Sequence, residues 1–431
     1  MRTYDRGRPG GSRSLKQRVV ITGLGVVACC GVNLEAFWRA VREGKSGIGY
    51  IQRFDVSGLP SKIGGEVRDF NPLDYIDEKK AKKQGRFVHF ALAAAKMAIQ
   101  DSGLDLSQMN PYHVGVAFGS SSGGYGNIAD EGYRIAIERG VRYVPPTTLN
   151  EISTHAGTVH IAIEFGLKGP CASNSTGCAS GITAIEDAMF VLRSGGAECM
   201  VVGASDACLS PLVFQALCKQ KVLSRHNDDP AGACKPFDLH RDGLVLGEGG
   251  GVMVLETAEH ALERGAHIYA EVLAASSYCE ARHLLVSGTT GEEMAVALKA
   301  ALASGRVGPS DVDYVCIHGI GNKEYDLSDT RGLKLALGRH AYNVPASSIK
   351  PVTGQPFGGA VPMQVAAVCK AFEEDILPPT INLTTPDPEC DLDYVPGVAR
   401  RARINVATIN SHSFGGTHAV VLLRRFDAEE S

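Results

Sequence analysis

From Arg18 onward, short runs of aliphatic and β-branched residues alternate with longer stretches in which apolar positions recur every three or four residues. Runs of the first kind predict strands at 19–23, 114–118, 200–202 and 252–255 in the first half of the chain, and at 268–273, 314–317, 406–409 and 419–423 in the second. The helical period predicts helices near 34–43, 81–102, 179–194 and 291–303, each with a Gly or Ser at its end. Strands and helices that alternate in this way define an α/β fold. In each half a strand runs into a turn of small residues, VVGASD (201–206) and INSHSFGG (409–416), an echo that suggests a duplicated layered fold. Residues 1–17 (MRTYDRGRPGGSRSLKQ) lack any period and are rich in Gly, Pro, Ser and basic residues, so they are expected to form a disordered tail outside the fold.

Composition narrows the class. The chain has 431 residues, with 44% hydrophobic and 21% charged, values of an ordinary globular protein with ample core. Gly is the outlier at 50 residues, which implies many tight turns and close backbone approaches. Forty-three basic residues against 47 acidic give a net charge of -4, so no global field favours nucleic acid or an anionic membrane as partner. No apolar run approaches the roughly 18–20 residues needed to span a bilayer. The 12 Cys include no Cys-x-x-Cys pair, and the start of the chain lacks the apolar core of a signal peptide, which together point to reduced thiols in the cytoplasm.

Four segments carry candidate chemistry. In GPCASNSTGCASG (169–181), tiny residues lead to Cys178 at the start of a predicted helix. A helix N-terminus favours thiolate, and small neighbours leave room for an acyl group; the alternative is a buried small residue at a strand-to-helix turn. In DYVCIHG (313–319), His318 stands where a buried strand meets a Gly-rich loop, either as a donor into a cleft or as a core imidazole. SSIKPVTGQPFGG (347–359) places Lys350 before a Pro and a Gly-flanked turn, and NSHSFGGTH (410–418) is a glycine-rich turn ahead of the last strand. Either could be loop punctuation alone. No His or Cys cluster has zinc-site spacing.

The order and spacing of these segments, together with VVITGLGVVACCG (19–31), GSSSGG (119–124), KPFDLHRDGLVLGEGGGVMVLE (235–256) and PPTINL (378–383), resemble the β-ketoacyl synthase family of the thiolase superfamily, most closely its elongating branch. The resemblance spans residues 18–425. It implies a five-layered αβαβα thiolase fold of two similar halves, divided near 265/266, with the active site where the halves meet, and a homodimer. Cys178 then matches the nucleophile that takes an acyl chain from a carrier-bound thioester, His318 the first catalytic His, and Lys350 the family's Lys. The backbone N–H groups of Cys178 and Phe414 match the oxyanion hole, with the Phe414 ring as a gate. An acyl carrier protein supplies the phosphopantetheine arm, so no dissociable cofactor or metal is implied.

The departures from the family pattern are informative. The second catalytic His falls on Gln355, and the Glu that pairs with the Lys falls on Gln364. The two Thr after the first His have become Ile320 and Asn322, and an Asn near the last turn is His418. Gln355 can donate an N–H bond but cannot carry charge or exchange a proton near neutral pH. The chain is therefore read as an enzyme that loads an acyl chain on Cys178 and forms a C–C bond without malonyl decarboxylation, by intramolecular aldol-type closure. Stand-alone ketosynthase-like cyclases of natural-product pathways, of the salinosporamide type, are the precedent. The alternatives are ordinary decarboxylative elongation with Gln355 as substitute donor, transfer of the acyl group alone, and a non-catalytic partner akin to chain-length subunits, against which the retained Cys178 counts.

Overall fold

The computed structural model describes residues 17–427. The predicted tail at 1–17 lies outside the described residues except for Gln17. Ten strands form the main sheet: β1 (Val19–Ala28), β2 (Val114–Gly119), β3 (Cys171–Asn174), β4 (Cys199–Asp206), β5 (Gly249–Thr257), β6 (Ala270–Cys279), β7 (Tyr314–Cys316), β8 (Ala346–Ser347), β9 (Val406–His412) and β10 (Thr417–Arg424). Their spatial order is β8-β7-β9-β10-β6-β1-β5-β4-β2-β3.

The duplication is visible in this order. Reading outward from the centre, β1-β5-β4-β2-β3 and β6-β10-β9-β7-β8 share one pattern, two antiparallel pairings followed by two parallel ones. The halves meet where β1 and β6 pair antiparallel through Val19–Val272, Val20–Glu271 and Ile21–Ala270.

Helices cover and separate the halves. The relevant ones are α1 (Leu34–Glu43), α2 (Arg86–Asp101), α3 (Ala156–Phe165), α4 (Ser180–Arg193), α5 (Glu292–Gly305), α6 (Lys323–Leu337) and α7 (Ala360–Glu374). Alternation along the strands sorts side chains between layers. Met253 and Leu255 of β5, with Val421 and Leu423 of β10, face a central core built on α4 and α7. Val252 and Val254 face outward onto α2, while Val420 and Leu422 face α5. Both faces of the central strands are thus buried, which explains the nearly continuous apolar runs of β1, β4 and β5. The layers run α2/α3, sheet, α4/α7, sheet, α5/α6. Gly23 and Gly25 of β1 are required by the first contact: a Cβ on Gly25 would lie 2.0 Å from the carbonyl oxygen of Ala94 on α2.

All eight predicted strands are present, several longer than their apolar runs. The helix predicted over 81–102 is divided. A short helix ends at Ala81, and Gly85, in an extended conformation, starts α2 at Arg86. Its N–H donates to Glu151 Oε2 at 3.2 Å, so this chain entry is fixed by α2's neighbours rather than by helical period.

Candidate active site

Cys178 lies in a tight turn, Gly177–Ala179, between β3 and α4. Gly177 has φ +61, and a Cβ there would meet Ser413 Cβ at 2.9 Å, so glycine satisfies both the backbone and the space. The turn is fastened from the other half. Ser411 Oγ donates to the Cys178 carbonyl at 2.8 Å, Ser413 Oγ accepts from Ala179 N at 3.0 Å, and the same Ser413 hydroxyl donates to Thr176 O at 2.6 Å.

Cys178, His318, Gln355 and Phe414, widely separated in sequence, line one narrow, tightly closed cavity together with Leu244, Ile320, Tyr325, Phe357 and His412. Phe414 also lines two neighbouring cavities: one reaches Ser121, Gly177 and Phe357, the other His283, Leu285, Ser287 and Glu324. Its half-buried ring is thus shared by all three. Lys350 sits behind this surface, fully buried, with Nζ donating to the His318 carbonyl at 3.3 Å.

Burial dominates the electrostatics. It pushes the Cys178 thiol up to about 12, against smaller opposing effects from Gln355 and Lys350. The helix N-terminus expected to stabilise a thiolate is present, but desolvation outweighs it, so the resting group is a thiol. His318 is held well below its usual range by burial first, then by Lys350, His412 and His418, and is neutral. Neither of its ring nitrogens has a hydrogen-bond partner among the described residues. Gln355 lies close enough to the thiol to lower it, yet its amide makes no hydrogen bond of good geometry.

The other departures from the family pattern acquire places. Gln364 Nε2 donates to the carbonyls of Cys316 and Ile317 at 3.2 and 3.3 Å, tying α7 to the strand that leads to His318. Asn322 caps α6, accepting from the N–H groups of Glu324 and Tyr325, while Ile320 faces the cavity. Two buried carboxyl groups of α6 shape the loop after His318. Asp329 receives Gly319 N at 2.9 Å, and Asp326 receives the N–H groups of Ile320 and Gly321. Burial lifts Asp329 to about 8, which makes it a neutral acid at pH 7. Asp206, at the end of β4, accepts from Ser121 N, Ser122 N and Gly358 N, joining the GSSSGG turn to the Phe357 turn.

Sequence reasoning missed Tyr325, Phe357, Glu280 and His412. His412 and His418 face each other across the β9–β10 hairpin, with ring centroids 3.8 Å apart. Both approach Glu280 Oε1, at 3.3 and 2.8 Å. The signal was available, because a turn centred on Gly415–Gly416 pairs position 412 with 418. These three residues bring potential ligand atoms within 4.8 Å of one another. A metal on both Nε2 atoms would leave two buried Nδ1–H groups without the outer partners that ligating imidazoles use, so the arrangement is one of hydrogen bonds.

Residues 16–261 match the β-ketoacyl synthase N-terminal domain and residues 269–384 the β-ketoacyl synthase C-terminal domain. The chain belongs to the β-ketoacyl synthase family. It is 39% identical to 3-oxoacyl-[acyl-carrier-protein] synthase 2 of Synechocystis sp., over 95% of this chain and 99% of that protein. It is 38% identical to the tetracenomycin polyketide synthase ketoacyl synthase alpha subunit of Streptomyces glaucescens, over 96% and 98%. Among solved structures, a type II polyketide ketosynthase in complex with its acyl-carrier protein superposes with a TM-score of 0.86 at 34% identity, covering 95% of this chain and 99% of that one. The ishigamide ketosynthase/chain length factor gives 0.89 at 29%, covering 95% and 99%. The five layers are those of the thiolase fold. Among the described residues no helix is long and apolar enough to cross a membrane.

A buried thiol with a raised pKa makes a specific kinetic prediction. Alkylation of Cys178 by iodoacetamide should rise about tenfold per pH unit from pH 6 to 9 without a plateau. A plateau beginning below pH 7, read by peptide mass spectrometry, would show a thiolate and contradict the assignment.

Proposed function

We propose that this chain takes an acyl group from an acyl carrier protein onto Cys178 and closes a ring within that chain by an aldol-type step, without malonyl decarboxylation. Acyl transfer exchanges one thioester for another. The Cys178 sulfur bonds to the acyl carbon, the pantetheine sulfur leaves, and the thiol proton goes to that leaving sulfur. The backbone N–H groups of Cys178 and Phe414 hold the oxyanion formed in transfer, and His318 donates to the thioester or enolate oxygen, with Lys350 organising charge behind it. The arm that delivers the chain is the carrier's, so the enzyme itself requires no dissociable cofactor. The carrier-bound ketosynthase among the structural neighbours supports this partner.

The observation that carries the reading is Gln355. The sequence resemblance matches it to the family's second imidazole, and it is buried in the cavity that Cys178 lines, with neither amide atom in a hydrogen bond of good geometry. Loss of an oxyanion donor costs about 3 kcal/mol where measured. A neutral amide that still offers N–H supports the second reading, ordinary elongation, which the relatives named as 3-oxoacyl-carrier-protein synthase also favour. Carbon dioxide release from malonyl carrier protein separates the two. The wild-type enzyme should release it about a hundredfold more slowly than Gln355→His, while Gln355→His does not improve the native reaction. Rapid release by the wild-type enzyme overturns the cyclase reading.

A homodimer is proposed on separate grounds. β3 is one edge of the main sheet, with Cys171 exposed and its outer side unpaired among the described residues. Ile163 and Phe190, on the helices packed against it, are 72% and 64% exposed. Light scattering should give twice the 45.6 kDa chain mass, and Ser173→Pro on the edge strand should give the monomer. A wild-type monomer at micromolar concentration would contradict the pairing.

A further inference from the structure

An aldol closure needs a base, and two imidazoles face the cavity beside Cys178. They differ in what stands behind them. His318 has no hydrogen bond to fix its ring, and Lys350 lies on its backbone side. His412 is held at Nε2, by Ser287 Oγ at 2.8 Å and by Glu280 Oε1 at 3.3 Å. The Ser287 hydroxyl has Glu280 Oε1 at 2.9 Å and the Gly288 carbonyl at 3.2 Å to donate to, and Glu280 Oε1 beside the ring can only accept, so the ring proton is assigned to Nε2. Nδ1 is then the basic nitrogen, fully buried and without a partner among the described residues. Glu280 is fixed in turn by Gly288 N at 3.0 Å and by His418 Nε2 at 2.8 Å. Gly416, whose Cβ would meet Glu280 Cβ at 2.8 Å, keeps room for the carboxylate.

We propose that His412 is the catalytic base of the ring closure, oriented and made more basic by Glu280. The assignment rests on the cyclase reading above. In the step, Nδ1 of His412 takes a proton from the carbon α to the Cys178 thioester, and the C–H electron pair moves into an enolate whose oxygen is held by His318 and the oxyanion N–H groups. Glu280 stabilises the imidazolium through Nε2–H, as an orienting carboxylate does for other catalytic imidazoles. The enolate carbon then bonds to a carbonyl carbon of the same chain, and that carbonyl oxygen takes the proton back from Nδ1. Atoms balance with no other reactant, and the closed ring is an isomer of the loaded chain.

The electrostatics agree with this division. Burial lowers His412 and Glu280 opposes the shift, so the ring is neutral and ready at pH 7. Four hydrogen-bond donors, two of them imidazoles, hold Glu280 well below the carboxylate range, as an anion. The groups around His412 are Glu280 and Ser287 behind it, His418 stacked on it, and His318 and Tyr325 on the cavity side. Burial raises Tyr325, which stays a neutral phenol.

The test measures proton abstraction alone. Cys178 is acylated with hexanoyl-pantetheine in deuterium oxide, the chain is released with hydroxylamine, and deuterium at the α carbon is counted by mass spectrometry. Wild-type enzyme should incorporate deuterium faster than the free thioester does. His412→Phe should exchange about a hundredfold more slowly per acylated Cys178. Acylation reports the fold, and if the Phe variant does not load, His412→Gln, which also lacks a basic nitrogen, is expected to show the same loss. Glu280→Gln should exchange about tenfold more slowly, with the acid limb of its pH profile at lower pH, a displacement that a purely structural role would not cause. Wild-type exchange rates in His412→Phe, no exchange by the wild-type enzyme above the free thioester, or exchange lost with a chelator and restored by zinc would each overturn the assignment. Since no malonyl substrate is present, these outcomes are separate from the carbon dioxide measurement on which the cyclase reading stands or falls.

Discussion

Two serine hydroxyls of β9 and the turn after it hold the turn that carries Cys178, more than 230 residues away in sequence. Ser411 grips the carbonyl of Cys178, while Ser413 bridges Ala179 N and Thr176 O. The contact places Cys178 of one half against the polar turn of the other, so the candidate site is assembled by the docking of both halves. Everything else about the cavity follows from that junction. His318 follows β7, Phe414 follows β9, and Gln355 comes from the turn ahead of α7, the helix sandwiched between the sheets.

Such a junction is buried, and burial sets the chemistry. The thiol of Cys178, the rings of His318 and His412, the phenol of Tyr325 and the carboxyl of Asp329 are all driven towards their neutral forms by burial. Glu280 goes the other way because it collects donors from His412, His418, Ser287 and Gly288. A neutral cavity with one anchored carboxylate behind an imidazole suits proton abstraction from a bound chain.

The sequence made the sheet legible because both faces of its strands are buried, leaving apolar runs with sharp ends. Among the helices it concealed, α6 and α7 escaped notice for opposite reasons. α7 buries residues all round over most of its length, so it shows no polar stripe and contains a Gly-rich start and Pro362. α6 buries Asp326, Ser328, Asp329 and Thr330, so its inner face reads as polar. The same contrast holds at the site. Cys178, His318, Lys350, Gln355 and Phe414 lie in segments with a recognisable pattern, and the structure brings four of them to one cavity with Lys350 directly behind. Glu280 and His412 become neighbours only through the pairing of β6, β9 and β10, and a helix N-terminus that predicted a thiolate gave no measure of the desolvation opposing it.

The central claim, that bond formation occurs within the chain on Cys178, is tested most directly by the mass of the released product. The native acyl carrier protein thioester is incubated with enzyme and with malonyl carrier protein labelled with carbon-13 throughout the malonyl group. The account predicts a product with the same carbon count as the loaded chain and no label. A product longer by two labelled carbons would contradict it and establish decarboxylative elongation.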